Sequence, residues 1–305
     1  MINKVIRKTN SIVSIWKIKI RCLTCLSNKN YCGINREKRN DSIVVSLTSF
    51  PGRIGAVSET IKSLLIQTMK ADRVILWLAK EQFPDREKNL PKDLLELKNY
   101  GLEILWCDDI RSYKKLIPTL QIEPNSIIVT ADDDIYYRTD WLSGLYKAHL
   151  QKPKCVVCYR ATKFYLDDGE KYKTVGGGHD LWPEPSYLHK LTGCGGVLYP
   201  VGTLFKDICR DDIFMTECKT NDDIWFWLMA VLKGTKIYCP KSDDVDIIEV
   251  EKAKKTPSLT SINDNGEHLF WKDFNNMLNY YPEVDKILRQ EYKRLVEKSK
   301  AGEKA

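Results

Sequence analysis

Ser126-Ile127-Ile128-Val129-Thr130-Ala131-Asp132-Asp133-Asp134-Ile135-Tyr136-Tyr137 is the stretch that decides the reading of this chain. Its first half is a short, almost uninterrupted apolar run rich in β-branched residues, the pattern of a strand buried on both faces of a parallel sheet. Three carboxylates then crowd its carboxyl end, where open α/β sheets bind their ligands. Carboxylates packed so closely need a cation. Hard ions such as Mg2+ or Mn2+ take oxygen ligands and usually share them with substrate phosphates, which makes a nucleotide diphosphate the natural co-ligand. The same run also reads as a helix N-cap, an exposed acidic turn, or the acidic pocket of a phosphoryl-accepting domain, and the surrounding sequence has to decide.

Upstream, Asp41-Ser42-Ile43-Val44-Val45-Ser46-Leu47-Thr48-Ser49-Phe50-Pro51 reads as a strand followed by a proline-punctuated turn. Residues 53–69 then read as a helix, with Ile61, Leu64, Leu65 and Thr68 on one face. Residues 73–79 (RVILWLA) are a second strand, helical sequence around Leu94 to Leu97 leads to a third over Leu102 to Cys107, and Ile127 to Thr130 is the fourth. Strands alternating with helices predict an α/β fold with a mostly parallel, Rossmann-like sheet flanked by helices.

This layout resembles the nucleotide-binding half of a GT-A glycosyltransferase, and the likeness extends to specific residues. Thr48-Ser49-Phe50-Pro51-Gly52-Arg53 looks like the first-strand loop of bacterial family 2-like surface-polysaccharide sugar transferases, where it meets the nucleoside. Asp109-Ile110-Arg111-Ser112-Tyr113-Lys114-Lys115-Leu116 is similar to a D-x-G-P-x-x-K-L segment whose acid and lysine face the nucleotide, except that Arg111 and Ser112 stand where that segment has Gly-Pro. Asp132-Asp133-Asp134 matches the DxD signature, with the first acid toward the ribose or sugar and the last toward the metal. Thr220-Asn221-Asp222-Asp223-Ile224-Trp225 resembles the downstream acidic pair that supplies the base in inverting members. The resemblance covers roughly residues 41–280 and implies a nucleotide-sugar donor (a UDP-sugar favoured), a glycan or lipid-linked acceptor, and Mn2+ or Mg2+. Thr48, Arg53, Asp109, Lys115, Asp132 and Asp133 are then the expected donor contacts, and Asp134, Asp132 and His268 the expected metal ligands.

Elementary chemistry gives the same residues work. Breaking an anomeric C–O bond loads charge on the leaving diphosphate, which a divalent ion on Asp132 and Asp134 neutralises and to which Lys115 and Arg53 add positive charge. The acceptor hydroxyl loses a proton, and Asp223, opening an apolar helix over residues 224–232, is the first choice to take it, with Asp222 second. Thr220, Asn221 and the two acids also form a capping sequence, with Gly234 as the helix stop. Between triplet and base lie Gly176-Gly177-Gly178-His179, Asp180-Leu181-Trp182-Pro183-Glu184-Pro185 and Gly193-Cys194-Gly195-Gly196. His179, Trp182 and Gly195 are the expected acceptor contacts, and Tyr187, Trp225 and Trp227 could also present flat faces to sugar rings. Ordinary turns and core aromatics account for the same residues.

A chain of 305 residues with 43% hydrophobic content supports one large core or two modest ones. The expected organisation is a basic amphipathic arm over residues 1–40, a catalytic domain over 41–285 (nucleotide half 41–140, acceptor half 141–285) and a charged C-terminal helix or tail over 286–305. The ten cysteines are scattered, several inside predicted strands, and no signal peptide is evident, which predicts reduced thiols and a cytoplasmic setting. Cys22, Cys25 and Cys32 open like a zinc site but lack a second pair, and Cys155 and Cys158 read as packing residues.

Residues 1–40 hold ten lysines and arginines against one glutamate, a net of +9, leaving 38 basic against 40 acidic residues elsewhere. On a helical wheel Ile2, Val5, Ile6, Ile12, Val13, Trp16, Ile20 and Leu23 share a face opposite Lys4, Arg7, Lys8 and Arg21. That pattern suits a helix lying on an anionic membrane surface, attached rather than catalytic and too short in its uncharged run to span a bilayer. The alternatives are a helix packed on the catalytic domain or a flexible tail. Nucleic acid is not an expected partner, since no binding module accompanies the charge. Rival functions are a retaining glycosyltransferase, a sugar-nucleotide nucleotidyltransferase, for which the single glycine and arginine of Thr48 to Arg53 make a poor phosphate loop, and a non-catalytic membrane-associated scaffold.

Overall fold

The computed structural model describes residues 2–175, 181–240, 247–255 and 269–302. The chain divides into two compact units, Met1–Lys147 with Asp243–Ser258, and Ala148–Ser242 with Leu259–Ala305.

In the first unit α1 (Ile2–Leu26) precedes β1 (Ile43–Thr48), α2 (Val57–Leu65), β2 (Arg73–Ala79), α3 (Lys92–Glu96), β3 (Leu102–Cys107), α4 (Ile117–Ile122), β4 (Ile127–Thr130) and the short β5 (Ile135–Tyr136). The sheet order is β4-β1-β2-β3, and every pair is parallel. Parallel neighbours need a crossover, supplied here by the intervening helical segments. β2 and β4 are buried almost throughout, as their unbroken apolar sequences require. The predicted strands and the α/β class are therefore what the chain forms. The chain steps outward from β1 through β2 to β3, then returns to the far side of β1 as β4, so the strand order reverses between β1 and β4. The carboxyl ends of those two strands flank the crevice at which such sheets bind ligands. β12 (Ile248–Glu249) pairs antiparallel with β5, and Val250 N donates to Asp134 O at 2.7 Å, pinning the strand just after the acidic triplet.

The helix expected over residues 53–69 is shorter at both ends. Pro51 to Ala56 form turns, and Arg53 sits in them rather than on the helix. Thr68 lies past the end, with its N and Oγ1 both donating to Thr139 O. The arm expected over residues 1–40 is also not a separate piece. α1 places Ile18, 2% exposed, in a cluster with Ala56, Ile66, Tyr136, Ile248, Val250 and Ala253, against which Ile15, Cys22, Cys25 and Leu26 pack. Burying one such isoleucine contributes about 1.5–3 kcal/mol. Arg21, assigned by the wheel to the solvent side, donates from Nε to Ile66 O at 2.8 Å, and Tyr100 Oη donates to Leu26 O. Burial pushes the Cys22 thiol up to about 12, so it packs as a neutral group.

α5 (Trp141–Gln151) is followed in the second unit by β6 (Val156–Cys158), β7 (Ala161–Leu166), β8 (Tyr172–Val175), β9 (His189–Leu191), β10 (Val197–Tyr199), α6 (Asp211–Glu217), α7 (Asp222–Lys233), β11 (Ile237–Tyr238), α8 (Leu269–Tyr280) and α9 (Pro282–Gly302). β6 lies between β11, parallel to it, and β10, antiparallel to it, while β8-β7-β9 make an antiparallel sheet. α7 is apolar all round, and Ile224 through Val231 are buried, as a helix of that composition must be. Trp227 stacks on Phe164 at 5.1 Å, Phe274 of α8 stacks on the same ring at 5.0 Å, and Gly234 ends α7 at φ 79°. Residues 286–302 of the helix or tail expected over 286–305 belong to α9, which buries Leu288, Glu291 and Leu295.

Candidate active site

The acidic triplet follows β4 directly, and its three carboxylates have three different surroundings. Asp133 turns inward: it is 6% exposed, Ser49 Oγ donates to its Oδ2 at 2.6 Å, Arg53 Nη1 donates to its Oδ1 at 2.9 Å, and Thr60 Oγ1 donates to its backbone O at 3.0 Å. Both its oxygens hold the loop of residues 48–53 against the end of β4, which is a different task from the donor contact expected of it. Asp134 faces the same guanidinium, with Arg53 Nη1 2.9 Å from its Oδ2, and is 24% exposed. Asp132 is 27% exposed, and Lys115 Nζ donates to its Oδ1 at 3.0 Å. Asp132 N donates to Tyr137 Oη at 2.8 Å, fixing the loop that carries it. Burial raises the Asp133 and Asp134 carboxyls above the ordinary range, and the charge of Arg53 opposes that rise.

Three segments far apart in sequence thus meet at one point. Thr48 ends β1 with its hydroxyl donating to Trp77 O at 2.9 Å, so it braces β2. Arg53, carried by the turn that sequence periodicity had assigned to a helix, bridges two acids, and its Nε–H is buried with no acceptor among the described residues. The segment Asp109 to Leu116 brings Lys115 to the triplet. Asp109 itself is committed within that segment: its Oδ1 accepts from Lys114 Nζ at 2.6 Å and Arg111 N at 3.0 Å, and its Oδ2 accepts from Gln82 Nε2 at 2.8 Å. Arg111 has φ 55°, the left-handed conformation that glycine adopts without strain.

The second acidic pair opens α7. Asp222 is buried at 6% exposure, whereas Asp223 is half-buried and accepts from Gly193 N at 3.0 Å on Oδ2. Two motifs thirty residues apart, the glycine turn and the helix-opening acid, are thus joined. Gly196 has φ 91°, and a Cβ on Gly195 would lie 3.2 Å from both Tyr159 Cβ and Arg160 Cγ, so close packing against Tyr159 and Arg160 favours glycine at 195. Asn221 does not cap α7 with its side chain. Instead Asp273 of α8, 6% exposed, accepts on Oδ2 from Asn221 Nδ2 at 2.7 Å and Thr220 Oγ1 at 3.0 Å. Sequence reading missed Asp273, since nothing within its own helix marks it.

Of the four aromatic residues offered as sugar platforms, two are core and two are half-buried. Trp225 and Trp227 are fully buried, their Nε1 groups donating to Ile208 O and Tyr187 O at 2.9 Å each. Trp182 is half-buried beside Tyr292, with Lys163 Nζ 5.0 Å from its ring centre. Tyr187 is half-buried too, with Lys236 Nζ 5.2 Å from its ring centre. His179 and His268 lie outside the described residues.

The donor set suits a hard divalent ion in one manner only. Among the described residues no cluster of three or more His, Cys, Asp or Glu side chains could hold a metal. Asp132 and Asp134 supply two carboxylates, the number with which Mg2+ or Mn2+ is ordinarily held when substrate phosphates and water complete the shell.

No family model matches the chain, and no curated sequence matches it either. Among solved structures, TarS 1–349 of S. aureus is similar at 13% identity and a TM-score of 0.42, over 66% of this chain and 59% of that one. The mannosyltransferase PcManGT from Pyrobaculum calidifontis, in complex with GDP-Man and Mn2+, is similar at 11% identity and a TM-score of 0.44, over 81% and 66% respectively. CMP:2-keto-3-deoxy-manno-octonic acid synthetase complexed with CTP is similar at 11% identity and a TM-score of 0.41, over 67% and 90%.

Proposed function

We propose that the chain is a GT-A-like, metal-dependent, inverting glycosyltransferase that moves a sugar from a nucleotide-sugar donor to a carbohydrate or lipid-linked acceptor, in the building of surface glycans. The observation that carries this reading is the meeting of Ser49, Arg53 and Lys115 with Asp132, Asp133 and Asp134 at the carboxyl ends of β1 and β4, where the strand order reverses. Asp132 and Asp134 would hold the divalent ion, Mn2+ or Mg2+, which would supply Lewis-acid stabilisation of the departing diphosphate. Lys115 and the Nη groups of Arg53 add cationic hydrogen bonds to the same oxygens. Asp133 keeps Arg53 in place. In the second unit Asp223 accepts the proton of the acceptor hydroxyl. That oxygen forms its bond to the anomeric carbon while the bond from that carbon to the phosphate oxygen breaks, and the electron pair leaves with the nucleoside diphosphate. Gly193 N holds one Asp223 oxygen and orients the carboxylate. The test is equilibrium binding: the protein binds UDP or GDP in the presence of Mn2+ or Mg2+ and loses that binding in excess EDTA. Absence of binding to any nucleoside diphosphate with either metal rejects the reading.

Attachment to an anionic membrane surface is part of the same proposal, supported by the side of α1 that faces away from the fold. Ile12, Val13, Trp16, Ile20 and Leu23 are 46–69% exposed, and Lys17 and Lys19 beside them are exposed as well. No described helix is long and apolar enough to cross a membrane, so this face would lie in the interface with lysines toward acidic headgroups. Because Ile18 and Arg21 tie α1 to the fold, deleting the arm would damage the unit it packs on. The informative variant is Trp16→Glu/Leu23→Glu. It is expected to lose co-sedimentation with phosphatidylglycerol vesicles while keeping the parent's melting temperature, and added salt weakens the parent's binding. Equal sedimentation of variant and parent, or loss of a dimer instead of vesicle binding, rejects attachment through this face.

A further inference from the structure

Resting on that reading of the site, a second property follows from which charges hold the triplet. Each of the two carboxylates assigned to the metal already has a cation of the chain on it: Lys115 Nζ at 3.0 Å from Asp132 Oδ1 and Arg53 Nη1 at 2.9 Å from Asp134 Oδ2. These are not loose surface pairs, since the Lys115 side chain is 7% exposed and that of Arg53 12%. A divalent ion placed on Asp132 and Asp134 would stand within a few ångströms of two positive charges in a partly buried site, where screening is weak. A nucleoside diphosphate changes this balance. Its oxygens offer the lysine and the guanidinium new acceptors, and its negative charge compensates metal and side chains together.

The two cations differ in shape and reach. Arg53 is anchored by the buried Asp133, whose other oxygen is fixed by Ser49, so it keeps its place whatever happens at Asp134. Lys115 carries its ammonium 3.0 Å from Asp132 on an unbranched four-carbon stem, whose torsions can re-aim it from carboxylate to phosphate.

We propose that Lys115 is a resident cation that blocks divalent binding at Asp132 until a nucleoside diphosphate draws its ammonium away, making metal and nucleotide strongly cooperative. The coupling is reciprocal, so metal raises nucleotide affinity by the factor by which nucleotide raises metal affinity. An ordinary phosphate-binding lysine predicts only weaker nucleotide binding when it is removed, whereas a resident cation predicts tighter metal binding as well.

The test titrates Mn2+ without nucleotide, reading free Mn2+ by electron paramagnetic resonance, for the parent and Lys115→Met, whose side chain keeps most of the lysine stem. Lys115→Met is expected to bind Mn2+ at least about tenfold more tightly than the parent, and the factor by which Mn2+ raises UDP or GDP affinity is expected to fall about tenfold. Unchanged or weaker Mn2+ binding in Lys115→Met overturns the proposal. Lys115→Gln, smaller and polar, is measured in parallel and decides the matter if the methionine variant does not fold. If the parent binds nucleoside diphosphate with Mn2+ but neither variant gains metal affinity, only this inference fails. If the parent binds neither metal nor nucleotide, the assignment of the site fails with it.

Discussion

Asp134→Ala is expected to weaken divalent-dependent binding of nucleoside diphosphate by about 10² or more while leaving the melting temperature close to the parent's. Removing one of two carboxylates leaves a hard ion a single protein ligand at this point, and metal sites of this kind have few ligands to spare. The fold survives because Arg53, which loses one partner, retains Asp133 at 2.9 Å. Asp133→Ala is the contrasting change. It takes the carboxylate out of a buried ion pair, leaves Arg53 and Ser49 Oγ without their inner partner, and is expected to cost about 3–5 kcal/mol of stability. Calorimetric titration and thermal melts on the two variants separate a ligand-facing acid from a structural one. Full metal-dependent binding by Asp134→Ala would remove this residue from the site, and an undiminished melting temperature in Asp133→Ala would deny it the bracing role.

Asp223→Asn is expected to lower transfer by about 10² or more with donor binding unchanged, the effect of deleting a general base. That factor corresponds to about 2.7 kcal/mol of transition-state stabilisation. The substitution is informative because the amide oxygen can still accept from Gly193 N, so the glycine turn keeps its tie to α7 while the proton acceptor is lost. Asp222→Asn serves as the comparison, since that side chain is buried. Turnover rates at saturating donor decide between them: loss in Asp222→Asn with normal turnover in Asp223→Asn transfers the role, and normal turnover in both leaves the pair as the opening of a helix.

The parallel strands of the first unit were legible because their signal is local. Residues 43–48, 73–79, 102–107 and 127–130 are apolar runs too short for helices and closed by turn-forming or charged residues, and each became a strand. The acidic triplet was legible for the same reason. Arg53 was assigned to a helix because periodicity registers the apolar positions of α2 and not the turns of Pro51 to Ala56 that delay its start. For Trp225 and Trp227 the core alternative holds, because the positions around them in α7 are apolar and such a helix is buried. On α1 the wheel found one apolar row where the structure has two, an inner one of Ile15, Ile18, Cys22 and Cys25 and an exposed one with Trp16 and Leu23. Asp273 was out of reach, because its importance lies in bonds to Thr220 and Asn221, more than fifty residues away. The roles of Asp132 and Asp133 likewise depended on non-local partners, Lys115 in one case and Ser49 with Arg53 in the other.

Sugar transfer from a nucleotide donor is read by incubating the protein with a panel of UDP-, GDP-, dTDP- and CMP-sugars in Mn2+ or Mg2+ and measuring release of the nucleotide. Metal-dependent release of a nucleoside diphosphate from at least one donor is expected, stimulated by a glycan or lipid-linked acceptor and lost in Asp134→Ala. Absence of nucleoside diphosphate from every donor, with pyrophosphate released in a parallel incubation with nucleoside triphosphates and sugar phosphates, would contradict sugar transfer.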